Sequence, residues 1–502
     1  MSDAKRLFRE AAVAGCSALL FHACSVDRKG GQGGDGGSGS PSGPGSGGKP
    51  SIAGGALNAA SGGKAASGAS SVVARGGSTD SSGGEAVDAM AGSGAEAADG
   101  GTTSNGSGGA PAAGTSSTGG AIAVGTGGSI SGGGPSGSGG TVHSACTTNP
   151  CKNGGTCSPG SGGSYTCTCS NRFVGASCEF QRFMGVPIAV SAMSQDGSLL
   201  AGQSCQEGGS CSAAKMSSAG GAVTLLKNPT ALPAGVTLTT CVPSAINGNG
   251  SWIGGRCQAN VGSGFGSVEW ETSSATGAYI TGRNANDAIA GIGGVSTDAS
   301  IIAGTLVSFT STTTSVGQIF RRTAGSGVVV LPPLNSGEFA GVNAVSNDGL
   351  LLVGSSGGHP FRWHPSSGMQ ALAELPNAAP NQDQSYVPHD ISADGSVIVG
   401  AFATRGGPTA LRWTSAGVTS LGLGEVVGTN HDGSLLVGST TNGACAWDGA
   451  GSLKTMLDVI GSTPDAAGWT LSTSVAISDD GKVISGTGIK DGKYQSWIAH
   501  LP

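Results

Sequence analysis

One short phrase returns seven times between residue 186 and the end of the chain, and no other feature restricts the fold so tightly. It consists of a small or aliphatic pair, Ser-x-Asp-Gly, and three or four β-forming residues ending in Gly. The first copy reads Ser194-Gln195-Asp196-Gly197-Ser198-Leu199-Leu200-Ala201-Gly202. Asn249-Gly250-Ser251-Trp252-Ile253-Gly254 and Ser296-Thr297-Asp298-Ala299-Ser300-Ile301-Ile302-Ala303-Gly304 follow, and later copies centre on Asp348-Gly349, Asp394-Gly395, Asp432-Gly433 and Asp480-Gly481. Their turn positions lie 38 to 53 residues apart. Asp-Gly tolerates the positive φ angles of a type I′ turn, whose twist matches that of flanking strands, so each copy is expected to be a tight hairpin. The runs that follow, such as Val397-Ile398-Val399 and Leu435-Leu436-Val437, are aliphatic and too short for helices. Another strand recurs around an aromatic residue in Phe361-Arg362-Trp363, Leu411-Arg412-Trp413, Cys445-Ala446-Trp447 and Ser496-Trp497-Ile498, with Trp270 and Phe320 in the similar place earlier. A further apolar segment, such as Val329-Val330-Leu331 or Leu421-Gly422-Leu423, completes about four strands per copy.

Four-stranded units of this length are the size of propeller blades, whereas the rungs of a β-solenoid, the competing arrangement, are usually shorter. The expected fold class is therefore all-β, a seven-bladed β-propeller over residues 181–502. The phrase also resembles the HAF family of extracellular repeats of secreted bacterial proteins, including the ending from Gly468-Trp469-Thr470 through Ile477-Ser478-Asp479-Asp480-Gly481 to Trp497. Copies two and three lack an Asp at position 248 and a Gly at position 299, which predicts poorly formed blades there. The repeated acids Asp196, Asp298, Asp348, Asp394, Asp432 and Asp480 are expected to accept hydrogen bonds from their own turns rather than to bind calcium or catalyse.

Thirteen cysteines are present, six of them at Cys146, Cys151, Cys157, Cys167, Cys169 and Cys178, spaced C-x4-C-x5-C-x9-C-x-C-x8-C. So short a segment holds no hydrophobic core and needs disulfides or a metal. Six cysteines allow 15 pairings, and spacing does not choose among them. A zinc site is disfavoured by the absence of a Cys-x2-Cys pair. The segment 143–180 resembles an EGF-like module in Asn149-Pro150-Cys151-Lys152-Asn153-Gly154-Gly155-Thr156-Cys157, Tyr165-Thr166-Cys167 and Gly175-Ala176-Ser177-Cys178. That resemblance implies the pairs Cys146–Cys157, Cys151–Cys167 and Cys169–Cys178. Val142-His143-Ser144-Ala145 supplies no carboxylate for the calcium-binding variety of the module, and Pro159 replaces a hydroxylatable residue. Further on, Cys205 with Cys211 and Cys241 with Cys257 are candidate staples across neighbouring strands, leaving Cys445 odd.

Upstream the composition changes character. Gly accounts for 96 residues of the chain, and charged residues for only 11%. Residues 24–142 are nearly all Gly, Ser, Ala and Thr, which cannot bury enough apolar surface to offset ordering entropy, so a disordered linker is expected. A Walker-like spacing from Gly43 to Lys49 is broken by Pro50 where a magnesium-binding hydroxyl belongs. Lys5, Arg6 and Arg9 precede an apolar run from Ala11 to Phe21, the layout of an export signal over residues 1–23. Leu20-Phe21-His22-Ala23-Cys24 resembles a bacterial lipobox, which makes Cys24 the candidate lipidation site and the membrane a partner through that anchor. Val13-Ala14-Gly15-Cys16 fits the letters better but has almost no apolar run before it, and an unlipidated secretory signal is the alternative.

The net charge of −6 argues against nucleic acid as a partner, because phosphate binding needs a clustered basic surface. Function is better sought where the repeat breaks symmetry. His359, His364, His389 and His431 fall in copies four to six, with Asp390 and Asp432 following two of them, and a propeller rim can gather such groups. Arg362 and Arg412 each precede a Trp and are expected to point outward, as surface charges or as contacts for acidic sugars. No catalytic motif is present. The expectation is an exported, non-enzymatic binding or adhesion protein that needs no cofactor and recognises protein or polysaccharide at the cell surface. In this assembly of parts the chain resembles exported lipoproteins of myxobacteria; a propeller glycosidase or lyase and a ligand-free coat protein are the alternatives.

Overall fold

The computed structural model describes residues 145–502 except 207–208, 261–263, 285, 310–314, 324–325 and 382. The export signal, Cys24 and the linker over 24–142 lie outside the described residues. Seven four-stranded antiparallel sheets follow one another from Ala189 to His500. We call them blades 1 to 7 in chain order. Their innermost strands are Ala189–Met193, Leu238–Ile246, Asp287–Val295, Ala340–Val345, Ser385–Ile391, Glu425–Thr429 and Trp469–Ile477. Each chain segment runs outward through its blade and returns to begin the next.

Blade 7 is different. Its outermost strand, Phe183–Val186, comes from the start of the propeller and pairs with Lys493–His500 near the C-terminus, Ala499 opposite Phe183 and Ser496 opposite Val186. The innermost strand of blade 7 also packs on that of blade 1, so the array closes into a ring. Apolar clusters straddle the seams between blades. One seam joins Ile301, Ile319 and Leu331 of blade 3 to Val342, Leu352 and Phe361 of blade 4. Trp270, Trp413, Trp447 and Trp497 are fully buried in such seams, each contributing a large apolar area.

The repeated hairpin is not the type I′ turn that Asp-Gly suggests. Type I′ requires positive φ at both central residues, yet in these turns only the Gly is left-handed, at about +70° in Gly197, for instance, and the Asp is not. The loop is the four-residue stretch from x to the residue after Gly, built on a turn closed from Gly197 N–H to Ser194 O at 2.9 Å. Ser194 Oγ accepts from Leu199 N–H (2.9 Å) and donates to Asp196 Oδ1 (2.6 Å), which also accepts from Ser198 N–H (2.9 Å). The same carboxylate pattern holds Asp298, Asp348, Asp394 and Asp480, and Asp432 accepts from Ser434 N–H. Blades 2 and 3 are complete, contrary to the expectation that their degenerate phrases spoil them. Asn247 Oδ1 accepts from Trp252 N–H in place of the Ser, Asn249 Oδ1 accepts from Ser251 N–H in place of the Asp, and Ala299 takes the left-handed position at φ 60°.

Residues 145–178 form a small cysteine-rich module. Disulfides join Cys146 to Cys157, Cys151 to Cys167 and Cys169 to Cys178. One hairpin pairs Thr156–Pro159 with Tyr165–Thr168, and Phe173–Val174 pairs with Phe180–Gln181. Two residues after Gln181 the propeller strand begins, so no spacer separates the two. Arg172 reaches Asp465 at 3.1 Å and Arg182 Nη1 donates to Ile460 O at 3.3 Å, both in the connection between blades 6 and 7, while Phe180 stacks on His500 of the blade 7 strand Lys493–His500.

Candidate functional site

The innermost strands surround a central cavity of about 1280 Å³. At its turn end sits the ring of residues at the x position of Ser-x-Asp-Gly, Gln195, Gly248, Thr297, Asn347, Ala393, His431 and Asp479, of which Gln195, Asn347 and Asp479 line the cavity. Backbone hydrogen bonds run from blade to blade around it, among them Gly248 N–H to Thr297 O (3.1 Å), His431 N–H to Asp479 O (2.8 Å) and Asp479 N–H to Gln195 O (2.7 Å). Two side-chain bridges then cross the opening. Thr297 Oγ1 donates to Gln195 Oε1 at 2.6 Å, passing over Gly248, where a Cβ would collide with both partners. Asn347 Nδ2 donates to Asp479 Oδ2 at 2.6 Å, joining blade 4 to blade 7. The cavity is therefore a cup, barred at the turn end and open at the other.

A β-bulge in every innermost strand shapes the wall. The extra residues are Ser191, Ser244, Gly293, Asn343, His389, Val427 and Val475. Opposite each bulge the second strand carries a Gly, such as Gly354 or Gly400, on which any Cβ would overlap a carbonyl oxygen of the innermost strand. Several bulge side chains reach the next blade. Ser191 Oγ donates to Pro243 O (2.7 Å), Ser244 Oγ to Ile292 O (3.0 Å) and Asn343 Nδ2 to Pro388 O (2.8 Å). His389 holds the same place in blade 5, its Nε2 lying 2.7 Å from Glu425 Oε1 of blade 6.

The residue after the bulge is Ala192, Ala245, Gly294, Ala344, Gly428 or Ala476 in six blades and Asp390 in blade 5. Half-buried, the Asp390 carboxylate accepts from Ile391 N–H (2.9 Å) and Thr429 N–H (3.0 Å). Burial pushes its pKa up to about 7, helped by the charge of Asp479 and opposed by those two hydrogen bonds and by His389. Asp479 is raised as well, by burial first, with Asn347 and His431 pulling the other way. Burial also pushes Glu425 upward, but the adjoining His389 outweighs it and leaves that carboxyl below its ordinary value.

At the open end the wall gives way to aromatic side chains. Phe339, 40% exposed, and Tyr494, 47% exposed, flank the opening, and Arg256 lies over the Phe265 ring at 4.5 Å. Gln203 and Gln495 line the same stretch. The Cys205–Cys211 disulfide borders it, and Cys241–Cys257 links two strands just behind. Both pairs are directly opposed across neighbouring strands, with Cα atoms 4.1 and 3.9 Å apart, closer than the usual range of about 4.4–6.8 Å. Cys445 is a buried free thiol whose pKa burial pushes up to about 12.

Of the symmetry-breaking residues, the fold brings His389 and Asp390 to the wall of the cup, sets His431 beside Asp479 in the ring of turns, and leaves the others outside. His359 Nδ1 meets Glu374 Oε1 at 2.6 Å, and His364 Nδ1 meets Ser366 Oγ at 2.7 Å, each beside its own blade. Asp432 stays in its turn. Arg362 is exposed and donates from Nε to Gln370 Oε1 at 3.0 Å, while Arg412 is half-buried between Leu411 and Trp413. Asn347 and Asp479 hold the variable x position of the phrase, and Glu425 and the mouth aromatics lie outside it, so a reading of the repeat does not single them out. Among the described residues no group of three or more His, Cys, Asp or Glu side chains is placed to hold a metal ion.

Residues 146–177 match the EGF-like domain. No curated protein matches the chain. Among solved structures, TolB from Acinetobacter baumannii is similar with a TM-score of 0.34 and 13% identity, covering 52% of this chain and 63% of that one. The chain thus spans less than two thirds of that TolB. An oligogalacturonate lyase in complex with manganese gives a TM-score of 0.39 and 13% identity, covering 64% of this chain and 90% of the lyase. The β-propeller domain of the Trilobed protease from Pyrococcus furiosus gives 0.39 and 9%, covering 64% and 98%.

Proposed function

We propose that this chain is an exported, non-enzymatic binding protein that displays an EGF-like module and takes its ligand, a protein segment or a polysaccharide, at the mouth of the propeller cup. The observation that carries this reading is the cup itself: a cavity of about 1280 Å³ with one barred end, small apolar wall residues, and exposed aromatic rings at the single entrance. Concave, mostly apolar sites with a few placed polar groups are where ligands bind. Five disulfides fit a compartment outside the reducing cytosol. On this reading the repeats are of the HAF kind and Cys24 carries a lipid anchor, which incorporation of labelled fatty acid into wild type and not into Cys24→Ser checks.

The main experiment is a screen of the whole chain against extracellular proteins and polysaccharides, repeated with Tyr494→Ala at the mouth and Tyr165→Ala on the EGF-like module. The expected result is a ligand lost with Tyr494→Ala and kept with Tyr165→Ala. Release of a cleaved product during binding would replace this reading with an enzymatic one.

A further inference from the structure

Resting on that reading, we infer that the cup takes the end of a polysaccharide chain made of sugars without carboxylates, and turns away uronic acids. Three features of the cavity lead there. The first is the floor. A cavity open at both ends would let a polymer thread through, but the Thr297–Gln195 and Asn347–Asp479 bridges cross the turn end, so only a terminus or a short fragment enters. At about 1280 Å³ the space exceeds the roughly 300–1,000 Å³ of typical small-molecule pockets, enough for several sugar rings.

The second feature is the entrance. Phe339, packed on Gly317, and Tyr494 are partly exposed there, and Phe265 lines the same opening. Aromatic rings offer large contact area at little entropic cost, and the C–H-rich face of a sugar ring is the flat, weakly polar partner that such rings accept. The planar amide of Gln495, and the amide oxygen of Gln203, whose Nε2 already donates to Cys241 O at 3.1 Å, are suited to neighbouring hydroxyls.

The third feature is charge. Five side chains lining the cavity carry or acquire charge: Arg256, His389, Asp390, Glu425 and Asp479. The single guanidinium lies at the mouth against Phe265, and the three acids occupy wall and floor. A uronate entering this space brings its carboxylate toward Asp390, Glu425 and Asp479, and the one basic side chain lining the cavity below the mouth, His389, is already paired with Glu425, so like charges in a partly desolvated cavity oppose it. An uncharged sugar meets no such penalty.

The test uses the whole chain and a panel of immobilised extracellular polysaccharides, neutral and uronate-containing, together with a panel of surface proteins. At least one neutral polysaccharide is expected to bind and no uronate polymer. Phe339→Ala and Tyr494→Ala should each weaken binding by about tenfold, a loss of one large contact. Mild fragmentation of the bound polysaccharide multiplies its ends and should increase binding per unit mass. Glu425→Gln should raise uronate binding from background. Preference for uronates, or binding indifferent to the number of ends, would overturn the inference. Protein ligands alone, still lost with Tyr494→Ala, would overturn it while leaving the binding reading intact. Binding of every class unchanged by both mouth substitutions would remove both.

Discussion

Position 390 shows how a single side chain can depart from a sevenfold pattern. Six blades put Ala or Gly after the bulge, and blade 5 puts a carboxyl there, within the field of Asp479 and His389. With the folded value raised from 3.8 to about 7, the native chain holds a proton that the unfolded chain has already released over that interval. Asp390 therefore favours the fold most fully below about pH 4, and that contribution fades as pH rises through 7. Asp479 acts in the same direction. Denaturant midpoints at pH 5 and pH 8 should accordingly fall less for Asp390→Ala than for wild type; equal falls would mean that the carboxyl is ionised throughout. The sequence already marks Asp390 and His389 as departures from the repeat. It gives no sign of Glu425 or Asp479 as their companions, because a pattern of turns says nothing about which side chains face one another across a ring.

At the scale of the element, the bulge facing a glycine is the recurrent unit, repeated in all seven blades. The Gly closing each β-forming run reads in the sequence as punctuation at the end of a strand. In the fold it lies inside the strand, where the neighbouring carbonyl comes too close for any Cβ, as at Gly354 against Gly341 O. Gly354→Ala should cost about 1–3 kcal/mol, the range of overpacking in a dense interior, read as a lower urea midpoint at unchanged slope. Gly406→Ala, in a loop with nothing nearer than 3.7 Å, should stay within about 0.5 kcal/mol. Equal effects would show that the blade relaxes around the added methyl. Strand identity was legible because aliphatic runs and turn residues alternate so regularly. Turn type was not, since Asp-Gly serves two loop geometries and only the φ of the Asp separates them.

For the whole molecule, closure depends on residues that precede the first repeat. The number of blades can be counted from the phrase, but Phe183-Met184-Gly185-Val186 belongs to none of its copies, and its pairing with Lys493–His500 spans nearly the full propeller. A chain beginning at residue 187 should lose about 5 kcal/mol, from the buried Phe183 and the strand's backbone hydrogen bonds, and melt about 10 °C lower or more. An unchanged melting temperature would mean that the ring does not rely on this strand. The same connectivity has a mechanical consequence. Any pull on the chain from the N-terminal side of Cys146 passes through the EGF-like module into the four residues that hold the ring shut, starting at the Phe183–Ala499 pair. The stacking of Phe180 on His500 and the Arg172–Asp465 ion pair stand ahead of that pair in the line of force, so the module acts as a strain relief for the clasp.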